Sequence, residues 1–254
     1  MAKDIELWQG DCLELMKDIP DGSVDLIITS PPYNIGKSYK TYKDDLELKD
    51  YLNWCALWLS ELKRVVTENG SIWINSGYLK MGANETRPLT YEFYNLMNLP
   101  LVQEVIWHYE GGMTYKKRFT HRTERWQWYS KKPNSVTFNL DDVRDINLNR
   151  TKDKRNHPLG KNPTDYWYFN RVVGGRGKSK EKTEHPAQFP VDMVERVVKA
   201  CSDAGDTVMD NFMGSGTTGV ACKRLNRNFI GIELDETYFN LAKERIESAG
   251  EINE

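Results

Sequence analysis

The feature that most constrains the fold of this 254-residue chain is a rhythm in which apolar runs of strand length alternate with stretches of helical periodicity. Ile5–Trp8 and Val24–Thr29 read as strands, the second because Val-Asp-Leu-Ile-Ile-Thr is β-rich and stops at Pro31-Pro32. Asp50–Val66 sets Leu52, Ala56, Leu59, Leu62 and Val66 on one face, which predicts an amphipathic helix closed by Asn69-Gly70. Ser71–Asn75, Val102–His108 and Arg125–Tyr129 are strand-like, Val191–Ala200 is helical, and Thr207–Asp210 is a strand entering a glycine-rich turn. A helix over Thr217–Leu225, a strand over Asn228–Ile232 and a helix over Glu236–Ile246 complete the pattern. Strands joined by crossover helices run mostly parallel and are covered on both faces. The expected fold class is therefore α/β, with a mostly parallel twisted sheet between two helical layers. The length supports one such core, with at most a small appended lobe.

One segment departs from this rhythm. Over Pro133–Glu184 the periodicity fades, and eleven basic residues stand against seven acidic ones in a chain whose net charge is −2. Charge is thus polarised, with Tyr166, Trp167, Tyr168 and Phe169 set inside the basic stretch. A solvated insertion and a nucleic-acid contact fit this composition equally well. No run is apolar enough to span a bilayer, and no apolar targeting stretch opens the chain. Cys12, Cys55, Cys201 and Cys222 are scattered without a C-x-x-C pair, which suits buried thiols in a reduced cytoplasmic protein and offers no metal site.

The first chemical signal is Asp210-Asn-Phe-Met-Gly214-Ser-Gly216-Thr-Thr-Gly219, between a strand and a helix. Small residues there let a ligand approach backbone at a helix N-terminus. Three glycines alone are explained as well by packing. No Lys follows them, so a phosphate loop is disfavoured, and the G-x-G-x-x-G spacing of dinucleotide sites is missing. Glu233 closes the next strand about twenty residues on, a place suited to the two hydroxyls of a ribose. Loop and acid together point to an adenosine-containing ligand.

The second signal is Ser30-Pro31-Pro32-Tyr33, directly after a strand. A strand stop with a capping aromatic is the plain reading. The chemical one is that the Ser30 hydroxyl and the Pro31 carbonyl face one small volume, where two acceptors receive both hydrogens of an amino group. Tyr33 would stack on the ring that bears it. An aromatic amine is a poor nucleophile because its lone pair is delocalised, and holding both N–H groups out of conjugation favours the tetrahedral transition state. No nucleophilic residue is needed.

With these motifs in place, the chain resembles the β class of amino DNA methyltransferases of restriction-modification type. Their Ser/Asp/Asn-Pro-Pro-Tyr/Phe motif comes early and their Asp-x-Phe-x-Gly-Ser-Gly-Thr-Thr loop late, matching Ser30–Tyr33 and Asp210–Thr218. Gly10-Asp11-Cys12, His185–Pro190, Asn69–Asn75 and His121–Trp126 fall where further family motifs fall. The resemblance implies a Rossmann-like S-adenosylmethionine-dependent fold with permuted motif order. It divides the chain into a catalytic half over 1–132, a target-recognition region over 133–184 and a cofactor-binding half over 185–254. It implies cofactor contacts from Asp11, Asp210, Phe212, Gly214, Ser215, Gly216, Thr217 and Glu233, with S-adenosylhomocysteine as product and no metal. Ser30, Pro31, Pro32 and Tyr33 become the catalytic residues. Arg118, Arg122, Arg171, Arg176, Lys178 and Lys180 become the expected contacts to double-stranded DNA around a base rotated out of the stack. A cognate restriction endonuclease is an implied partner, the setting a prokaryotic or phage cytoplasm, and the assembly a monomer or homodimer.

Some departures bear on the details. Asn211 replaces a common Pro, and Ala187 and Phe189 replace a common Thr and Lys, which removes one expected charge contact to the cofactor carboxylate. Ser30 in place of Asp is the form the family associates with cytosine N4, with adenine N6 as the alternative. Cytosine C5 chemistry needs a Cys after a Pro, and the residues before the four cysteines are Asp11, Trp54, Ala200 and Ala221. An RNA or protein-amide methyltransferase shares the amide logic but matches the motif order and basic insertion less well. A non-catalytic nucleotide-binding regulator would have no use for Ser30–Tyr33, and the methyltransferase motifs leave little length for a nuclease.

Overall fold

A computed structural model describes residues 4–82, 85–111, 114–145, 157–174 and 179–250. In chain order the elements are β1 (Ile5–Gln9), α1 (Cys12–Leu15), β2 (Val24–Thr29), α2 (Leu48–Val65), β3 (Val66–Ser76), β4 (Tyr78–Lys80), β5 (Thr86–Pro88) and α3 (Leu89–Met97). They continue with β6 (Leu101–His108), β7 (Thr123–Tyr129), β8 (Tyr166–Tyr168), α4 (Val191–Cys201), β9 (Thr207–Asp210), α5 (Thr217–Arg224), β10 (Asn228–Glu233) and α6 (Glu236–Ser248). One sheet of eight strands has the order β1-β10-β9-β2-β3-β7-β6-β8, and β4 and β5 form a separate hairpin. The pairs β1–β10, β10–β9, β9–β2, β2–β3 and β6–β8 are parallel. Only β7 opposes its neighbours β3 and β6. This is the Rossmann-like architecture that the resemblance implies, with a mostly parallel sheet covered on both sides.

Alternating strand residues feed two separate cores. Leu26, Ile28, Trp73 and Val208 face the layer holding Val194, Val197, Val220, Ala221 and Ile246 of α4, α5 and α6. Ile27, Ile72, Ile74 and Met209 face Cys55, Trp58, Leu59, Leu62 and Phe93 of α2 and α3. On the first face Trp73 stacks on Trp128 with centroids 5.1 Å apart and on Trp167 at 5.9 Å. Trp167 belongs to the stretch that reads from sequence as irregular and basic. The structure instead adds Tyr166–Tyr168 to the sheet edge beside β6 and buries Trp167, leaving Tyr166 and Tyr168 exposed. Part of the expected recognition aromatic cluster is therefore core, because alternation along a strand sends its middle side chain inward.

One further expectation does not hold. Asn69-Gly70 does not close the second helix: α2 ends at Val65, Val66 is already extended, and β3 runs on through both residues. The β-branched pair Val65-Val66 turns the chain straight into strand, and Asn69-Gly70 falls within an irregularity of the β2–β3 register, between the Val24–Val66 and Leu26–Ser71 pairs. The helix α3 and the β4–β5 hairpin have no counterpart in the sequence reading.

What this topology does for a site is geometric. Ser30 follows β2, Asp11 follows β1, Asn75 lies near the end of β3, and Asp210 and Glu233 end β9 and β10. Because β7 runs backwards, its second residue, Glu124, meets the same sheet edge. Crevices at the carboxyl ends of parallel strands, where the crossover direction reverses, are the usual ligand sites of such sheets.

Candidate active site

A cavity of about 410 Å³ opens at this edge, within the ~300–1,000 Å³ of small-molecule sites. At one end it is lined by Asp11, Phe212, Gly214, Ser215, Thr217 and Glu233, and at the other by Ser30, Pro31, Pro32 and Tyr33. Two motifs some 180 residues apart in sequence thus share one chamber. Asp210 and Gly216 are not in the lining.

At the glycine-rich end the turn leaves β9 and enters α5. Gly214 has φ 53°, and a Cβ there would lie 2.9 Å from the His185 ring. Gly216, at φ 76°, is the N-cap of α5, and its Cβ would lie 2.9 Å from Ala242. Both positions need glycine for conformation and for room. The Asp210 carboxylate is turned into the protein, accepting from the Thr218 hydroxyl at 2.7 Å, Phe212 N at 3.1 Å and the Thr29 hydroxyl at 3.2 Å. Burial pushes its pKa up to about 7 despite these bonds. Asp210 ties β2 to the turn.

Glu233 is held differently. Its carboxylate accepts from Gly214 N at 2.8 Å and Asp235 N at 2.9 Å, which fixes its rotamer at the cavity wall, and burial raises its pKa. Asp11 caps α1 by accepting from Leu13 N at 2.8 Å, and Gly10 N donates to Glu233 O at 2.9 Å, locking the two strand ends together. Nearby, Asn211 is buried with its side-chain amide against the Cys12 thiol and no other hydrogen-bond partner among the described residues. A thiol is a weak partner, and a buried amide left short of hydrogen bonds costs ~1–3 kcal/mol, so a polar ligand edge is the natural complement here. Carboxylate, cradle and under-bonded amide fit an adenosine moiety. His185, whose pKa burial pushes down to about 4, sets its ring edge-on to Tyr238 at 4.6 Å and closes this end.

At the other end Tyr33 is anchored through its hydroxyl. It lies 2.5 Å from Asn75 Oδ1, 3.1 Å from Glu124 Oε2 and 3.3 Å from Ser30 Oγ. Tyr51 donates to the Pro32 carbonyl at 2.7 Å, so that acceptor is taken, while Ser30 and Pro31 line the cavity. The buried Asp44 carboxylate accepts from the backbone of Asn34, Ile35 and Lys37 at 2.8, 3.1 and 2.8 Å. That knot shapes the loop bringing Lys37, Tyr39, Thr41 and Tyr42 into the wall. The Thr41 hydroxyl donates to Asp235, joining the loop to the glycine-rich half.

Sequence reasoning passed over Asn75, Asp44 and Glu124. Glu124 lies in a segment noted only as a motif position, and its charge becomes informative once β7 delivers it to the cavity. Burial raises its pKa to about 7, while bonds from Tyr33 and Tyr109 and the charges of Arg171 and Lys37 pull the other way.

The expected DNA contacts divide. Arg171 lines the cavity with its guanidinium 5.0 Å from the centre of the Tyr109 ring and its buried Nε without a partner. Arg118 lies 4.1 Å over Tyr115, and Arg122 donates to the His121 carbonyl at 2.9 Å, both in the β6–β7 connection at the same sheet edge. Lys180 is exposed, next to Ser179, whose N–H bonds Val173 of the cavity wall at 2.9 Å. Arg176 and Lys178 lie outside the described residues. Among the described residues no cluster of His, Cys, Asp and Glu could hold a metal, and no helix is long and apolar enough to cross a membrane.

Comparison with known proteins adds to this geometry. The family described as DNA methylase matches residues 24–244. The Type II methyltransferase M.ScaI of Streptomyces caespitosus is 40% identical, with 97% of this chain and 83% of that protein aligned. M.BglII of Bacillus subtilis is 35% identical over 93% of this chain and 67% of its own length. The solved complex of M1.HpyAVI with SAM superposes with a TM-score of 0.64 at 27% identity, covering 95% of this chain and 98% of that one. The cytosine-N4-specific PvuII DNA methyltransferase aligns with a TM-score of 0.72 over 96% of this chain and 86% of that one, at 19% identity, a likeness of fold.

Proposed function

This chain belongs to the DNA methylase family of S-adenosylmethionine-dependent amino-methyltransferases of restriction-modification type, and from that membership we propose that it methylates N4 of a cytosine rotated out of double-stranded DNA. The observation that carries the reading is the shared chamber: the glycine-rich turn with Glu233 forms one end and Ser30–Tyr33 the other. S-adenosylmethionine supplies an electrophilic methyl group. Asp11, Phe212, Gly214, Ser215, Thr217 and Glu233 hold the cofactor, with Glu233 on the ribose and Asp11 near the adenine.

Ser30 Oγ and the Pro31 carbonyl accept the two amine hydrogens, and Tyr33 supplies the face on which the base stacks. Asn75 and Glu124 hold its hydroxyl, so the platform is preorganised. An amine inside a duplex cannot reach this recess, so the base leaves the stack at a cost of a few kcal/mol. Residues 133–184, with Arg118 and Arg122, offset that through phosphate and base contacts. Ser30 in place of Asp supports cytosine over adenine.

Plasmid DNA methylated with labelled cofactor and digested to nucleosides tests this. N4-methylcytosine is expected. N6-methyladenine would move the target base while keeping the chemistry, and label in neither nucleoside would refute the reading.

A further inference from the structure

Holding an amine needs the Ser30 hydroxyl, the Pro31 carbonyl and the Tyr33 ring. It does not need a carboxylate 3.1 Å behind the tyrosine hydroxyl, yet Glu124 is there. Hydrogen counting shows what the arrangement can do. Asn75 Nδ2 donates to the Arg125 carbonyl at 3.3 Å, so its Oδ1 is the atom facing Tyr33 and is purely an acceptor. The Tyr33 hydroxyl has one hydrogen and two acceptors, Asn75 Oδ1 and Glu124 Oε2. Ser30 Oγ, 3.3 Å from the same oxygen, can donate into its lone pair. A continuous path therefore runs from the atom that meets the substrate amine to a carboxylate lining the same cavity.

The reaction must dispose of a proton, and this path offers it a route. As the nitrogen lone pair forms the new N–C bond and the S–C electron pair remains on sulfur, the nitrogen is left with one proton too many. We propose that Glu124 is the final acceptor of that proton, reached from the amine through the Ser30 and Tyr33 hydroxyls. The amine proton passes to Ser30 Oγ, the Ser30 proton to the Tyr33 oxygen, and the Tyr33 proton to Glu124 Oε2. Both hydroxyls end as they began, and the glutamate ends as a carboxylic acid that later releases its proton through the open cavity. Glu124 touches no substrate atom and acts as a positioning residue through Tyr33. This rests on the amine-methylation reading above.

The groups facing Glu124 suit the task. Tyr33 comes from the turn after β2, Tyr109 from the end of β6 with its hydroxyl 3.5 Å from Oε1, Lys37 from the Asp44-knotted loop and Arg171 from beyond β8. The two cations stabilise the ionised form in an enclosed place, and burial opposes them, leaving a carboxyl that changes protonation near neutral pH.

The test is single-turnover transfer of tritiated methyl to plasmid DNA across about pH 5.5 to 9, with wild type, Glu124→Gln and Tyr33→Phe. Wild-type rate should climb with pH and level off above about 7. Glu124→Gln keeps the length and a hydrogen-bonding group but cannot take the proton. It should be ~10²–10⁴-fold slower with the acid limb abolished, at unchanged cofactor affinity. Tyr33→Phe keeps the stacking ring and cuts the relay, so it should lose the limb as well. A Glu124→Gln enzyme with the wild-type limb, or a Tyr33→Phe enzyme with the wild-type rate and limb, would overturn the proposal alone. A wild type that labels no DNA would overturn the amine-methylation reading with it.

Discussion

Glu233→Ala is the substitution whose effect the structure lets one work through most fully. The carboxylate is held at the cavity wall by backbone donors, Gly214 N at 2.8 Å and Asp235 N at 2.9 Å, each bonded to a different oxygen. Two ribose hydroxyls would each donate there. A hydrogen bond to a charged acceptor contributes ~1.5–3 kcal/mol, so losing even one should weaken binding by more than ~tenfold, or ~1.4 kcal/mol. Deleting the side chain also leaves the Gly214 N–H without its acceptor at a turn that lines the same end. Glu233→Gln, with one oxygen and no charge, should fall between wild type and Ala. Calorimetric titration with S-adenosylmethionine and with S-adenosylhomocysteine measures both. The losses should match for the two ligands, because the ribose is common to them and the methyl is remote. Unchanged affinity for Glu233→Ala, or a loss confined to the methylated ligand, would refute this placement.

Other perturbations separate further parts of the account. Asp210 has a folded pKa raised to about 7 from an ordinary 3.8, so the folded state binds its proton more tightly, and stability should fall as pH rises from about 4 through 7. Asp210→Asn should flatten that fall in thermal melts across the window, and an equally steep fall in the variant would show the assignment to be wrong. Trp73→Ala, at a buried position stacked on Trp128 and Trp167, should lower unfolding free energy by ~3–5 kcal/mol in denaturant titrations, with a loss under ~1 kcal/mol counting against the stack as core. Neutralising Arg176, Lys178 and Lys180 together should weaken binding to every duplex and reduce the salt slope by ~0.9 per lost phosphate contact. An unaltered slope would remove this stretch from the interface.

The fold was readable because it is written in local patterns. Period-two and period-3.6 apolar runs mark β2, α2, β9, α5, β10 and α6, and the glycine turn announces the ligand edge. What escaped depends on long-range partners. The Tyr166–Tyr168 strand is too short to show alternation and exists because β6 offers it an edge. Leu89–Met97 carries Tyr91 and Tyr94 on its exposed side, which blurs the amphipathic signal. At the site, Ser30–Tyr33 and the glycine turn are contiguous in sequence and so were visible. Asp44, Asn75 and Glu124 are single polar residues on three separate segments, and only the antiparallel course of β7 brings the last of them to Tyr33. Asp210 illustrates the converse: it stands inside a cofactor motif, yet its carboxylate is bound by Thr29 and Thr218 away from the cavity.

The central claim is that one chamber has a cofactor end and a separate amine-holding end, and Tyr33→Ala tests it most directly. The measurement is the single-turnover rate of methyl transfer to duplex DNA from enzyme saturated with S-adenosylmethionine, alongside the cofactor dissociation constant. Loss of a base–aromatic stack worth ~1–3 kcal/mol, together with the hydroxyl network behind it, predicts a rate at least ~5-fold to ~150-fold lower with cofactor affinity unchanged. A variant that transfers methyl groups at the wild-type rate, or one whose defect lies entirely in cofactor binding, would contradict the account.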